Sequence, residues 1–172
     1  MTSQPHGNAV IRIPRLAVLA YALAATVIAL DQALKYWILN VFRLQEGSTI
    51  EVIGPFRLTG VENRGVSFGI LNIDAEWTRW VLTAFALAVA AGLAVWARRL
   101  EKPLLAIAIG LIMGGAVGNA IDRLRFGWVA DFLDFSQLAF PWIFNIADSA
   151  NTIGSVLLIW DLFLAPRKRA AG

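Results

Sequence analysis

The chain has 172 residues, of which 58% are hydrophobic and 16% are charged, and its mean hydropathy is +0.65. Because a soluble domain carries roughly 45–50% apolar and about 25% charged residues, this composition excludes an ordinary soluble enzyme or a disordered chain. The sequence has no cysteine and a single histidine, His6, which excludes thiolate chemistry, zinc peptidase helices and Ser-His-Asp chemistry. The net charge of +3 does not predict nucleic-acid binding, since the basic residues bracket apolar segments, as they do in membrane proteins.

Four apolar segments are long enough for transmembrane helices, which need roughly 20 mostly apolar residues. They cover residues 16–39, 80–97, 104–121 and 140–164. The first segment contains an Ala-x-Ala pattern, but this pattern lies inside the apolar segment, which favours a retained helix over a cleaved signal peptide. We therefore predict an all-α membrane protein whose domain, residues 16–164, is a bundle of four transmembrane helices.

The distribution of lysine and arginine predicts the orientation of this bundle, because cytoplasmic loops carry an excess of both. Residues 1–15, the connection between the second and third segments, and residues 165–172 are short and rich in these cations. We expect both termini on the cytoplasmic side and the two longer connections on the outer side. The cations concerned are Arg12, Arg15, Arg98, Arg99, Lys102, Arg167, Lys168 and Arg169.

A β-region is predicted in the connection between helices 1 and 2, at about residues 40–79. Residues 48–59 are rich in β-branched side chains with partial alternation, and Gly54-Pro55 is typical of a turn. We expect a small hairpin or sheet that lies on the outer surface of the membrane.

Ionisable residues inside transmembrane segments are costly, so they mark candidate functional positions. Asp31 and Lys35 lie four residues apart on the first segment and therefore share one helix face. This pair can fix helix packing by mutual neutralisation, or it can belong to a functional site.

Polar side chains also gather at the outer end of the third segment. A stripe of glycines at every fourth position predicts close contact with a neighbouring helix. The same face continues to Asp122, with Asn119 and Arg123 beside it. The glycines of the stripe are Gly110, Gly114 and Gly118.

The fourth segment carries Asn145 and Asp148 on one face, and a polar face inside a bilayer must point into the bundle. We expect Asp148 to meet the outer end of the third segment and the short connection that carries Asp131. Two close carboxylates cannot both ionise cheaply, so one of them keeps a proton. Such a pair can activate water for peptide hydrolysis without histidine, cysteine or a metal ion.

Other functions remain open on the residues alone. Paired acids in a helix bundle also serve proton-coupled transport or cation binding. A Ser-Lys peptidase would use Lys35 with Ser67, Ser136 or Ser149 as the nucleophile. Asp134 is most simply interpreted as a solvated loop charge. A hard-cation site would draw on Asp122, Asp131, Asp134 and Asp148.

Four blocks of sequence, in order along the chain, resemble the bacterial lipoprotein signal peptidase family, also called signal peptidase II. The blocks are DQALK (31–35), ENRGVSFG (62–69), GGAVGNAIDRLRFGWVADFLDF (114–135) and FNIADSA (144–150). The second block departs slightly from the commoner wording of the family at Val66-Ser67.

The resemblance implies an aspartic endopeptidase of the bacterial cytoplasmic (inner) membrane that cleaves prolipoproteins just before a cysteine carrying diacylglycerol. It implies Asp131 and Asp148 as the catalytic pair, near the extracytoplasmic face. No metal ion, organic cofactor or nucleic acid is expected to take part. The expected partners are the lipidated substrate and membrane lipids, and the expected state is a monomer. The supporting or substrate-binding residues would be Asp31, Lys35, Asn63, Asn119, Asp122, Arg123 and Asn145.

Overall fold

The computed structural model describes residues 13–65 and 75–164. Two helices, Arg15–Tyr36 and Ile146–Ile159, continue into five-residue π-helical turns, Trp37–Val41 and Trp160–Leu164. The predicted N-terminal tail up to residue 12, Ser67, and residues 165–172 lie outside the described residues. The elements are α1 (Arg15–Tyr36), β1 (Thr49–Ile53), β2 (Phe56–Asn63), α2 (Ala75–Ala97), α3 (Pro103–Phe126), β3 (Val129–Asp134), β4 (Ile143–Phe144) and α4 (Ile146–Ile159).

Three helices in the described ranges are long and apolar enough to cross a membrane: Arg15–Val41, Glu76–Ala97 and Pro103–Phe126. Their apolar windows have mean hydropathies of 1.8, 2.0 and 2.1. The helix α4 has only 14 residues, because it begins at Ile146 and not near Phe140, where the predicted fourth segment starts. Length and hydropathy therefore support three of the four predicted transmembrane helices.

The helix α3 lies at the centre of the bundle and packs against α1, α2 and α4. Its glycine stripe contacts a neighbouring helix closely, as predicted, and that helix is α1: a Cβ on Gly110 would lie 2.7 Å from the carbonyl oxygen of Ala20, and one on Gly114 would lie 2.6 Å from Cβ of Val27. The absence of side chains at these positions lets the two backbones approach closely. The outward faces of the helices expose large apolar side chains, as a lipid environment requires.

A four-stranded antiparallel sheet, in the order β1-β2-β3-β4, covers one end of the bundle's polar face. The hairpin of β1 and β2 turns at Gly54, whose φ of 52° suits a glycine, and it confirms the predicted β-structure between α1 and α2. Two further strands of the same sheet, β3 and β4, come from the segment between α3 and α4, where no strand was predicted.

The strand β3 was predicted as a short connection. Its burial explains why its sequence pattern does not indicate a strand. Five of its six residues are buried, so it lacks the alternation of apolar and polar residues that marks a half-exposed strand. Its pairing with β2 sets Val61 opposite Asp131 and Asn63 opposite Val129. The sheet thereby holds Asp131 above the polar end of the helices.

Candidate active site

Asn145 caps the N-terminus of α4 and fixes the position of Asp148. Its side-chain Oδ1 accepts a hydrogen bond of 2.9 Å from the backbone N–H of Asp148, and Oδ2 of Asp148 accepts one of 3.3 Å from the backbone N–H of Asn145. These reciprocal bonds form a capping box, which ends the preceding extended chain and starts the helix at Ile146. The side chain of Asn145 is fully buried.

Asp131 lies on β3 and is 3% exposed. Its Oδ1 accepts a hydrogen bond of 2.7 Å from Nδ2 of Asn145, and its Oδ2 accepts one of 2.9 Å from Nδ2 of Asn63. Burial, above all, and the charge of Asp148 raise the pKa of Asp131 to about 7, although the two amide hydrogen bonds act in the opposite direction. The structure thus brings Asp131 and Asp148 to the same amide, Asn145.

Asn119, on α3, completes this network of amides. Its Nδ2 donates a 2.7 Å hydrogen bond to Oδ1 of Asp148, and its Oδ1 accepts one of 3.2 Å from Nδ2 of Asn145. The expected contact of Asp148 with the end of the third apolar segment that carries Asn119 is confirmed. Arg123, one turn further along α3, lines a groove with Asn119 and has no ion-pair partner within the described part of the chain.

A second polar cluster lies directly behind the first. Nζ of Lys35 is 2.8 Å from Oδ2 of Asp31 and 2.7 Å from Oδ2 of Asp122, and all three side chains are buried. Gln32, which sequence analysis missed, donates hydrogen bonds to Asp31 at 3.2 Å and to Asp122 at 2.8 Å. Its position inside the DQALK block, between the acid and the lysine, is the signal that could have identified it.

Several clefts in the described part of the chain reach these residues. Asp131 and Asn63 line an open cleft of about 480 Å³ beside β2 and β4. Asp148 lines a cleft of about 240 Å³ with apolar walls that include Phe140, Phe144 and Ile153. A third groove, of about 350 Å³, runs between α2, α3 and α4 and is lined by Asn119 and Arg123 among others. The two carboxyl groups can therefore be approached both from the sheet and from within the bundle.

The interpretation of Asp134 as a solvated loop charge is wrong. Asp134 ends β3, is 2% exposed, and pairs with Arg57 at 3.1 Å. It accepts further hydrogen bonds from Thr59 and from the backbone N–H of Ser136. Hydrogen bonds from Ser136 and Thr59 and the charge of Arg57 lower the pKa of Asp134 to about 2, against the opposing effect of burial. Asp134 therefore links β3 to β2 through Arg57 and Thr59.

The polar partners of Lys35 bear on the Ser-Lys alternative. Its amino group contacts two carboxylates and the amide oxygen of Asn119, at 3.4 Å, and no serine hydroxyl within residues 13–65 and 75–164. Ser149 donates its hydroxyl to the backbone oxygen of Asn145, at 3.0 Å, as a helix-face serine commonly does.

The alternative of a hard-cation site finds no support in residues 13–65 and 75–164. Over these residues, no group of three or more acidic or histidine side chains is arranged to hold a metal ion.

The fold and the site define a helical membrane protein in which the carboxyl groups of Asp131 and Asp148 both accept hydrogen bonds from Asn145. The family model described as Signal peptidase (SPase) II matches residues 23–164. The lipoprotein signal peptidase of Caulobacter vibrioides is 48% identical over 158 residues, which cover 91% of this chain and 94% of that protein. The corresponding protein of Methylorubrum extorquens is 45% identical, over 87% of this chain and 86% of its own length.

A solved structure, described as that of a bacterial membrane enzyme, superimposes with a TM-score of 0.72 at 31% identity. The superposition covers 86% of this chain and 94% of that one. The chain belongs to the signal peptidase II family, and it is therefore a peptidase. The family resemblance of the four sequence blocks is confirmed.

Proposed function

We propose that the protein is an intramembrane aspartic endopeptidase with Asp131 and Asp148 as its catalytic pair. Its substrates are diacylglyceryl-modified prolipoproteins, cleaved just before the lipidated cysteine. The observation that carries the catalytic assignment is that one buried residue, Asn145, donates to both carboxyl groups, to Asp131 from its side chain and to Asp148 from its backbone N–H. Each of the two acids also lines an open cleft. The names of the relatives, lipoprotein signal peptidases, support the class of substrate.

The chemistry follows from a pair that carries a single proton. The ionised member takes a proton from a water molecule, whose oxygen attacks the carbonyl carbon before the cysteine. The protonated member donates a hydrogen bond to the oxygen on which negative charge develops, and a proton then passes to the leaving amine. The raised pKa of Asp131 supports this division, because it keeps one proton on the pair near neutral pH.

Substrate binding is proposed from the lining of the grooves. Arg123 and Asn119 offer hydrogen-bond donors to the backbone of a signal peptide that lies in the groove between α2, α3 and α4. The apolar cleft beside Asp148, with Phe140 and Ile153 in its wall, would receive acyl chains that continue into membrane lipid. Asn63 and Asn145 hold Asp131 in register with the scissile bond.

The placement in the bacterial inner membrane is part of the same proposal. The helix α4 and its π-helical turn together run from Ile146 to Leu164 and expose apolar side chains such as Val156 and Phe163, which supports a fourth transmembrane segment. The excess of cations in the connection after α2 supports cytoplasmic termini and a site near the extracytoplasmic face. All catalytic and supporting residues come from one chain, so a monomer suffices.

The test is cleavage of a diacylglyceryl-modified prolipoprotein by the purified protein in detergent, followed as a mobility shift on a gel. Wild type should cleave, and Asp131→Asn and Asp148→Asn should lose at least about 1,000-fold in rate, as removal of central catalytic groups does. Asp161→Asn is the matched control, because Asp161 is a buried acid paired with Lys102 at 2.9 Å and away from the cleft residues.

Thermal unfolding of each variant separates lost chemistry from lost folding. Either Asp131→Asn or Asp148→Asn that is folded and still active would remove that residue from the catalytic pair. A folded wild type that cleaves no lipidated substrate would refute the proposed activity, and flux measurements in proteoliposomes would then test the transporter alternative.

A further inference from the structure

Lys35 is buried to 2% exposure, and its single positive charge is shared by two carboxylates from different helices. Asp31, on α1, lies 2.8 Å from Nζ, and Asp122, on α3, lies 2.7 Å from it. Neutralising one buried carboxylate needs one cation, and a buried pair is costly to desolvate. The second carboxylate is therefore not explained by neutralisation of Lys35, and its other contacts indicate what it does.

Each of the two carboxylates accepts a backbone N–H from the residue that directly precedes a proposed catalytic acid. Oδ1 of Asp31 accepts the N–H of Ala147, at 3.0 Å, in the first turn of α4. Oδ2 of Asp122 accepts the N–H of Ala130, at 3.1 Å, on β3. The peptide units that lead into residues 148 and 131 are thus both fixed by carboxylates that contact the same amino group.

Lys35 also constrains the amide that contacts Asp148. Its Nζ lies 3.4 Å from Oδ1 of Asn119, and because an ammonium group can only donate, the oxygen of this amide must face it. The NH₂ group of Asn119 must then point the other way, where it donates a 2.7 Å hydrogen bond to Oδ1 of Asp148.

We propose that Lys35 is a positioning residue that sets the distance and orientation between Asp131 and Asp148, acting through Asp31, Asp122 and Asn119. The inference rests on the proposed function, since it takes these two acids as the catalytic pair. The three groups that contact the amino group of Lys35 bond in turn to α4, to β3 and to the carboxyl group of Asp148. A shift of Nζ therefore displaces both acids together, although Lys35 touches neither of them.

Asp31 and Asp122 differ in how many of their carboxylate oxygens they use for Lys35 and the backbone N–H. Asp31 uses one oxygen for Ala147 and the other for Lys35, so asparagine at position 31 must lose one of these bonds. Asp122 uses the same oxygen, Oδ2, for Lys35 and for the backbone N–H of residue 130. Asparagine at position 122 can keep both bonds through its single oxygen and loses only the hydrogen bond from Gln32, which still donates to Asp31 and to the carbonyl oxygen of Gly118.

The experiment compares Lys35→Met with a control, Lys102→Met. Lys102 also pairs with a buried acid, Asp161. Two quantities are measured on the full chain in detergent: kcat and KM for a lipidated prolipoprotein, and hydrogen–deuterium exchange at the amides of Ala130 and Ala147. For Lys35→Met we expect kcat to fall about 100-fold with KM changed by no more than about two-fold, since misplaced catalytic groups affect the chemical step. Exchange at both amides should become faster, and Lys102→Met should change neither quantity.

Unchanged kcat, or unchanged exchange at both amides, in a folded Lys35→Met would overturn the inference. If Lys35→Met does not fold, Asp31→Asn and Asp122→Asn decide: we expect Asp31→Asn to lose far more kcat than Asp122→Asn, and equal losses would contradict the relay. A wild type without any cleavage would refute the proposed function alone, because the exchange at Ala130 and Ala147 still tests whether Lys35 fixes these two peptides.

Discussion

Nδ2 of Asn145 donates a 2.7 Å hydrogen bond to Oδ1 of Asp131, and so the cap of the helix α4 is tied to the middle of the strand β3. The same side chain accepts the backbone N–H of Asp148 through its oxygen. One amide therefore serves as a helix cap and as the link between the carboxyl group of Asp131 and the backbone of Asp148. A side chain that cannot both donate to Asp131 and accept from the backbone N–H of Asp148 cannot replace Asn145.

Asn145→Ala should lower both stability and activity. Loss of an N-cap costs about 0.5–2 kcal/mol of unfolding free energy, and the loss of the link to Asp131 should reduce kcat about 100-fold. Thermal unfolding and cleavage kinetics measure the two effects separately. Ser149→Ala, in the same first turn, should stay within about 0.5 kcal/mol of wild type and cleave normally. A folded and inactive Ser149→Ala would instead revive the serine mechanism.

The rate of cleavage should fall as the pH rises above about 7. The pKa of Asp131 is raised to about 7, mainly by burial and next by the charge of Asp148, and the proposed mechanism needs one proton on the pair. Loss of this proton should reduce kcat/KM about tenfold per pH unit on the alkaline side. The measurement is a profile of kcat/KM between pH 5 and about 9. A flat alkaline limb would show that the pair does not need its proton.

The stability of the folded chain should respond to pH through Asp131. Because its folded pKa lies above the unfolded value, the native state binds more protons, so this residue's contribution is most favourable at low pH and is lost as the pH rises towards 7. Asp131→Asn, which does not titrate, should therefore gain in Tm relative to wild type between pH 5 and about 8. A Tm difference that does not change with pH would contradict this shift.

Asp134 should show the opposite sign. Its pKa is lowered to about 2, so its contribution to stability is present above the unfolded value and is lost as the pH falls towards 2. Asp134→Asn should lower Tm at neutral pH, and the deficit should shrink in acid. Thermal unfolding at pH 7 and near pH 3 makes the comparison. An equal Tm deficit at both pH values would contradict the lowered pKa of Asp134.

Gly115 and Gly92 make a matched pair of glycine substitutions. A Cβ on Gly115 would overlap the carbonyl oxygen of Ala147 and the side chain of Asn151, so Gly115→Ala must push α4 away from α3 and should cost about 1–3 kcal/mol together with activity. A Cβ on Gly92 would meet nothing within 4 Å, and Gly92→Ala should stabilise the chain by about 0.4–1 kcal/mol. Thermal unfolding and cleavage assays of both variants test the contrast; a neutral Gly115→Ala would show that α4 can move without harm.

The local features of the sequence predicted much of the fold. Helix positions follow from hydropathy, the glycine stripe predicted close contact of α3 with a neighbouring helix, and Gly54-Pro55 predicted the hairpin. What the sequence could not show is pairing between distant segments. Nothing local in VADFLD indicates that it pairs with β2, because a strand buried on both faces has no alternating pattern.

The candidate site shows the same division. Asp31, Lys35 and Asn119 were selected from the cost of polar groups in a membrane, and the structure brings them together. The roles of Gln32 and of the backbone N–H of Ala147 depend on side-chain directions in three dimensions, so no spacing along the chain reveals them. Asp134 was misjudged because its partner, Arg57, is far away in sequence.

The order of the elements along the chain has a consequence for biosynthesis. Asn145 and Asp148 lie on α4, which follows every other element of the site. A ribosome that has released α1, the sheet strands up to β3, and α3 has produced Asp131 without its partner acid or the amide that orients it. Under the proposed chemistry, the nascent protein is therefore inactive until α4 has packed against α3 and brought Asn145 and Asp148 to Asp131.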